Sequence, residues 1–285
     1  MRSNVTEYEL TAPNSLDAIL QVLADAPDRY TPIAGGTELM VALSAGRLQP
    51  KKFVSLWNLK ELRFIEVTPD AVTLGAATTF TDIRKHPVIV AEFSILAQAA
   101  SFTGSIANQN RGTLGGNIVN ASPAADSPPA LLAYDAVINI VSSRGMRNIP
   151  YRDFHLSYKK TALASDELLH SITLSRNFDG YKTYIRKVGT RNAQAISKVA
   201  IAIVARTNRG VIETIRIGAA SLGETPTRLV ATEASLINQP ITPATIAATR
   251  ASVLNGTIPI DDIRSTARFR SAVAANLIEE FLRSI

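Results

Sequence analysis

Two short glycine segments hold the residue types whose spacing could do chemistry. The first is Pro32-Ile33-Ala34-Gly35-Gly36-Thr37-Glu38-Leu39. The second is Thr113-Leu114-Gly115-Gly116-Asn117, with Asp126 nine residues further on. Paired glycines let a backbone approach a ligand with no Cβ in the way. Their amides, together with the positive end of a following helix, can point several N–H groups at a phosphate. The Thr37 hydroxyl would add one more donor. Either segment alone reads more readily as a turn with nothing bound than as a ligand loop. The pair suits a ligand with two phosphates and a long body. Neither segment has the Gly-x-Gly-x-x-Gly spacing of a Rossmann site, and no Gly-Lys-Ser/Thr follows to make a P-loop.

Other chemistries are excluded by residue type. The chain has no cysteine, so thiolate nucleophiles, disulfides, cysteine-ligated zinc and an iron–sulfur cluster of its own are ruled out. His86, His155 and His170 are scattered, with neither metal-ligand spacing nor a Ser/His/Asp set, so they are expected to be structural or exposed. No catalytic side chain and no metal site is assigned.

The elements that must position the loops can be traced through the hydrophobic periodicity. Pro13-Asn14-Ser15 opens a helix carrying Leu16, Ile19, Leu20 and Leu23. Tyr30 to Ala34 is a strand ending at the first glycine pair, and the helical run that opens at Thr37 ends at Gly46. Phe53 to Leu56 is a strand, and Phe64 to Thr78 a hairpin around Pro69-Asp70. Helical sequence runs from Thr81 to about Thr103, broken at Pro87. A long polar connection through Pro129 then holds the second glycine pair, with an apolar strand expected after it. Val137 to Val141 and Arg147 to Pro150 form a hairpin, and Leu168 to Leu174 a strand. A boundary falls near 176. Strands at Lys198 to Arg206 and Val211 to Ala220 are joined by a tight turn. Three helical runs close the chain, at about 228–237, 242–254 and 265–284. In the last, Phe269, Val273, Leu277 and Phe281 repeat every four residues.

The 285 residues are 46% hydrophobic and 19% charged, a globular composition. No apolar run reaches the roughly 18–20 residues of a spanning helix. Met1 to Leu10 lacks an apolar export core, which favours the cytoplasm. Residues 1–176 balance basic against acidic side chains, so the whole net charge of +6 falls on 177–285. Lys182, Arg186, Lys187, Arg191, Lys198, Arg206, Arg209 and Arg216 crowd one stretch. It is either a solvated strand face or a surface for phosphates or an acidic partner. No nucleic-acid-binding motif accompanies it.

Ala34-Gly35-Gly36-Thr37 and Thr113-Leu114-Gly115-Gly116-Asn117, with the continuation Ile118-Val119-Asn120-Ala121-Ser122-Pro123, resemble the two FAD pyrophosphate motifs of the molybdenum hydroxylase flavoprotein subunits. These are the medium subunits of the xanthine dehydrogenase and carbon monoxide dehydrogenase family, and the resemblance covers essentially the whole chain. It implies an α+β fold: a two-part FAD-binding domain of the PCMH type (vanillyl-alcohol oxidase-like) over 1–176, split near 57, then a smaller strand-then-helix domain of the CO dehydrogenase flavoprotein type over 177–285. Residues 32 to 39 would wrap the pyrophosphate and 113 to 117 complete the loop around FAD. Asp126 matches a cofactor contact, Leu169 an apolar residue near the flavin ring, and Lys187 a lysine at the flavin. Phe102 matches an aromatic facing the isoalloxazine, with one extra residue between it and the second loop. Relatives with an inserted cysteine-ligated cluster differ from this chain, whose own redox centre would be the flavin alone.

The resemblance further implies a heterotrimer, in some cases doubled. A large subunit holds molybdopterin and a small subunit two [2Fe–2S] clusters. This chain would pass their electrons to NAD⁺, oxygen or another acceptor, with no membrane or nucleic acid involved. A self-sufficient flavin oxidase or reductase of the same fold, and a non-catalytic module with a basic binding surface, are the alternatives.

Overall fold

The computed structural model describes residues 7–48, 52–191 and 194–285. The first six positions of the opening segment therefore lie outside the described residues.

The front of the chain builds a small parallel sheet from β1 (Glu9–Thr11), β2 (Thr31–Ile33) and β3 (Lys52–Ser55), in the order β1-β3-β2. Its helices are α1 (Leu16–Asp25) and α2 (Leu39–Ser44). The Ser15 hydroxyl accepts the Ala18 amide to cap α1, and Ile19, Leu20 and Leu23 then fall on one buried face. They pack with Val54 and with Leu62, Val141 and Leu168 in a small core.

A five-stranded antiparallel sheet follows, of order β4-β5-β10-β6-β7. Its strands are β4 (Ile65–Val67), β5 (Ala71–Gly75), β6 (Val137–Ser142), β7 (Gly145–Pro150) and, beyond the short β8 (His155–Ser157) and β9 (Lys160–Thr161), β10 (Leu168–Ser175). Between β5 and β6 lie six short helices: α3 (Phe80–Lys85), α4 (Pro87–Glu92), α5 (Ser94–Phe102), α6 (Ile106–Arg111), α7 (Leu114–Val119) and α8 (Pro128–Ala133). They bury the largest core, which includes Phe80, Phe93, Leu96, Leu114, Tyr134 and Ile172.

The structure corrects the expectation of one long polar connection before Pro129. Ser105 accepts the Asn108 amide and Thr113 the Gly116 amide, capping α6 and α7, and Pro128 opens α8. The segment after the second glycine pair is thus helix, not strand. Caps and tertiary packing override the poor helix propensity of glycine and asparagine there.

The last part is an antiparallel sheet of order β11-β12-β13-β14 with α9 (Val230–Leu236), α10 (Pro243–Gly256) and α11 (Ala267–Leu282). Its strands are β11 (Lys182–Val188), β12 (Val199–Asn208), β13 (Val211–Ala220) and β14 (Thr227–Arg228). Strand β11 was not expected, because its basic residues obscure the single buried Ile185. Strand β12 reads as an unbroken apolar run because both its faces are covered. Ala202 and Val204 join the front core, whereas Ile201 and Ile203 face the core with α9 to α11.

Helix α11 departs from the expected stripe. Leu277 and Phe281 are buried, but Phe269 is 42% exposed and Arg270 is buried instead. A four-residue repeat drifts by about 40° per step on a helix of 3.6 residues per turn, which carries Phe269 off the core face.

Buried Glu233 on α9 ties the last sheet together. It accepts the Ile217 amide at 2.8 Å and pairs with Arg228, which also reaches Asp135 at 3.1 Å. Removing one partner of a buried pair leaves a charge uncompensated, at about 3–5 kcal/mol. Glu233→Ala is therefore expected to lower the unfolding free energy by about that amount, measured by urea denaturation.

Candidate functional site

The two glycine segments meet because α6 delivers the second to the first. A Cβ on Gly35 would lie 1.7 Å from the Arg111 carbonyl oxygen, so only glycine permits this crossing. A Cβ on Gly115 would lie 2.7 Å from the Ala76 carbonyl oxygen. These two glycines serve backbone-to-backbone packing within the protein. The sequence had suggested ligand approach for all four. Gly36 takes the left-handed φ of +74°, which turns the chain from β2 into α2. A Cβ on Gly116 would meet only the Thr113 hydroxyl, at 2.9 Å.

Together the segments bound a cavity of about 730 Å³, within the range of small-molecule and cofactor sites. Pro32, Ala34, Gly35, Gly36, Thr37, Glu38 and Leu39 line it from the first segment, and Thr113, Gly115, Gly116 and Asn117 from the second. Leu169 also lines it. Ile33 and Leu114 do not, Ile33 being half-buried in β2 and Leu114 fully buried in the front core.

The hydrogen-bond donors are divided unequally. In the second segment the chain itself takes them: Leu114 donates to Thr78 O, Gly115 to Ala76 O, Gly116 to the Thr113 hydroxyl and Asn117 to Thr113 O. In the first, no hydrogen bond among the described residues uses the amides of Gly35, Gly36 or Thr37. The amides of the first segment are therefore left without an internal partner, while those of the second are satisfied.

Phe102, Asp126 and Lys187 lie outside the cavity lining but meet one another. The Lys187 ammonium donates to Asp126 Oδ2 at 2.8 Å and to the Phe102 carbonyl at 3.1 Å. The Ser197 hydroxyl donates to Asp126 Oδ1 at 2.8 Å. Burial raises the Asp126 pKa above the ordinary 3.8, and Lys187 pulls the other way. The cluster reaches the cavity through its neighbours: Thr103 is in the lining, and the Ser127 hydroxyl donates to Asn117 Oδ1 at 2.7 Å. Lys187 is thus ion-paired. Other members of the basic stretch are also engaged: Arg206 with Glu213, and Arg216 over the Phe178 ring.

None of the three histidines lines the cavity. His155 Nε2 bonds the buried Tyr151 hydroxyl at 2.9 Å, and burial pushes its pKa down to about 4. Among the described residues no group of acidic and histidine side chains could hold a metal.

Sequence reasoning missed one wall. Thr161 and Leu163 to Ser165 line the cavity with Glu167 and Leu168. The Arg147 guanidinium grips Glu167 through two bonds of 2.8 and 2.6 Å and donates to Ala162 O, while Arg144 pairs with Asp166. The signal was the Asp166-Glu167 pair facing two arginines of the β6–β7 hairpin, legible only once the register is known.

Comparison with known proteins places this geometry. The family described as the FAD binding domain in molybdopterin dehydrogenase matches residues 6–175, and the CO dehydrogenase flavoprotein C-terminal domain matches 184–285. The chain is 29% identical to the nicotinate dehydrogenase FAD-subunit of Eubacterium barkeri, covering 94% of this chain and 90% of that one. It is 32% identical to the putative xanthine dehydrogenase FAD-binding subunit of Escherichia coli K12, over 79% of this chain and 77% of that one. A chain of the solved carbon monoxide dehydrogenase of Hydrogenophaga pseudoflava superposes with a TM-score of 0.92 at 26% identity, covering 96% of this chain and 95% of that chain.

The hydrogen bonds from Arg147 hold the Glu167 carboxyl below its ordinary 4.5. A depressed carboxylate contributes stability that is full above its unfolded pKa and lost as pH falls through the folded one. The midpoint of thermal unfolding should accordingly drop as pH falls below the ordinary carboxylate value of 4.5, and Glu167→Gln should flatten part of that drop.

Proposed function

Because the chain belongs to the family of FAD-binding medium subunits of molybdenum hydroxylases, we propose that it is the electron exit of a multi-subunit dehydrogenase. FAD is the cofactor of this chain, and when bound it supplies the redox chemistry. Electrons arrive from the [2Fe–2S] clusters of a small partner subunit, and the acceptor is NAD⁺, oxygen or another oxidant. Molybdopterin belongs to a large partner subunit, so this chain is not expected to oxidise the organic substrate alone. The complex is assigned to the cytoplasm. Among the described residues no helix is long and apolar enough to cross a membrane.

The residues present suit a dinucleotide with two phosphates. The observation that carries this is the unspent amides of Gly35, Gly36 and Thr37 at a cavity that these three residues line together with Gly116. Backbone N–H groups with no internal partner can bind an anion without the desolvation cost of a buried cation. In this assignment residues 32 to 39 hold the pyrophosphate, 113 to 117 close around it, and Leu169 packs on the flavin ring. Residues 1–176, split near 57, form the FAD-binding domain, and 177–285 the flavoprotein C-terminal domain. Phe102, Asp126 and Lys187 form a layer behind the cavity lining. There the lysine charge, partly offset by Asp126, favours the reduced and more negative cofactor by Coulomb attraction.

The test is flavin content, by visible absorption and acid release, of the chain in the form in which it is isolated. Gly116→Val and Gly35→Val should each lose most of the FAD. Full occupancy in folded Gly116→Val would remove the two-loop assignment. Lys187→Met should lower the reduction potential of the bound flavin. An unchanged potential would leave Lys187 a purely structural partner of Asp126.

A further inference from the structure

The crossing of the glycine segments has an external brace. Arg111, whose carbonyl oxygen sits against Gly35, lays its guanidinium 3.7 Å from the centroid of the Trp57 ring. Trp57 stands two residues beyond the end of β3. Its neighbour Leu56 donates its amide to Ile33 O at 2.8 Å and lines the cavity. The far side of the brace is anchored as well. Arg63 lies 5.6 Å from the same ring and bonds Asp82, whose carboxylate accepts the Thr79 amide at the head of α3. That turn is in turn stitched to the second segment, with Phe80 N bonding Gly112 O and Leu114 N bonding Thr78 O.

We propose that Trp57 and Arg111 are positioning residues for the dinucleotide cradle. Their stack holds the end of α6 against β3 and so sets the spacing between the amide donors at Gly35 to Thr37 and the closing segment at Gly116-Asn117. Neither side chain touches the cofactor in this scheme. The arginine acts through its plane on the ring, and its carbonyl, one bond from the Cα, carries the effect to Gly35. A guanidinium on a tryptophan face is the strongest common cation–π pairing, and lysine does not reproduce its planar stacking. The proposal rests on the FAD assignment above.

The test is an FAD titration of apo-protein prepared from the chain in its isolated form, with folding checked by circular dichroism. Trp57→Ala and Arg111→Met are each expected to raise the FAD Kd about tenfold. The double variant should be no more than about twofold worse than either, because both remove one interaction. Trp57→Phe, which keeps an aromatic face, should fall in between. The reduction potential of the flavin that does bind should not move, since only the phosphate cradle is displaced. Trp57 is the sole tryptophan, so Arg111→Met should also change the protein's emission before any FAD is added.

Unchanged Kd in folded Trp57→Ala would overturn the brace. So would fully additive losses in the double variant. Full rescue by Arg111→Lys with no effect of Trp57→Ala would make Arg111 a direct phosphate cation and overturn it too. A parent chain that takes up no FAD would remove the proposed function and the brace together. A parent that binds FAD beside unaffected variants would remove the brace alone.

Discussion

The cavity depends on one contact between two stretches of backbone. Gly35 passes so close to the Arg111 carbonyl that no side chain could stand between them. That approach joins the small parallel sheet at the front to the helices on the larger sheet. Each segment alone is an ordinary turn. Once they cross, free amides from one side face a capped helix start on the other, and a concave surface results. The crossing must be held from outside, because backbone contact across a glycine contributes little cohesion of its own. Packing around it supplies that hold, from the Trp57 ring to the first turn of α3.

The unequal division of donors follows from how each segment ends. Thr113 caps α7 with its own hydroxyl and carbonyl, satisfying the amides of Gly116 and Asn117 locally. Helix α2 starts differently: its cap position, Glu38, makes no side-chain bond to the helix. Amides left without a partner near a cavity favour an anion, and backbone donors need no side-chain reorganisation to meet it. The segment that is locally less complete is thus the one left with amides to spare.

Behind the lining, Asp126, Lys187 and Ser197 join the front of the chain to its last sheet. Strand β12 does the same through apolar packing, with alternate residues in two different cores. A buried ion pair alone adds little net stability. It does fix how β11 lies against the residues flanking the second glycine segment. The C-terminal part is therefore coupled to the cavity by geometry, although none of its described residues lines it.

Much of this was legible in the sequence. The glycine pairs and most helices and strands follow from local rules: glycine where backbones crowd, alternation in half-buried strands, and caps at helix starts. What could not be read was which groups face one another. Gly35 and Gly115 are indistinguishable by type from Gly36 and Gly116, yet a Cβ on either of the first two would run into backbone, whereas one on Gly116 would meet only the Thr113 hydroxyl. Strand β11 was hidden because its register on β12, not its own pattern, makes it a strand. The Arg147–Glu167 wall and the Trp57–Arg111 stack join residues distant in the chain, and local pattern carries no information about such pairs. Residue type and spacing, being short-range, determined most of the elements and suggested the kind of ligand they suit. Only the tertiary structure decided which donors stay unspent, because a backbone amide is satisfied or left free by whatever folding brings within about 3 Å of it.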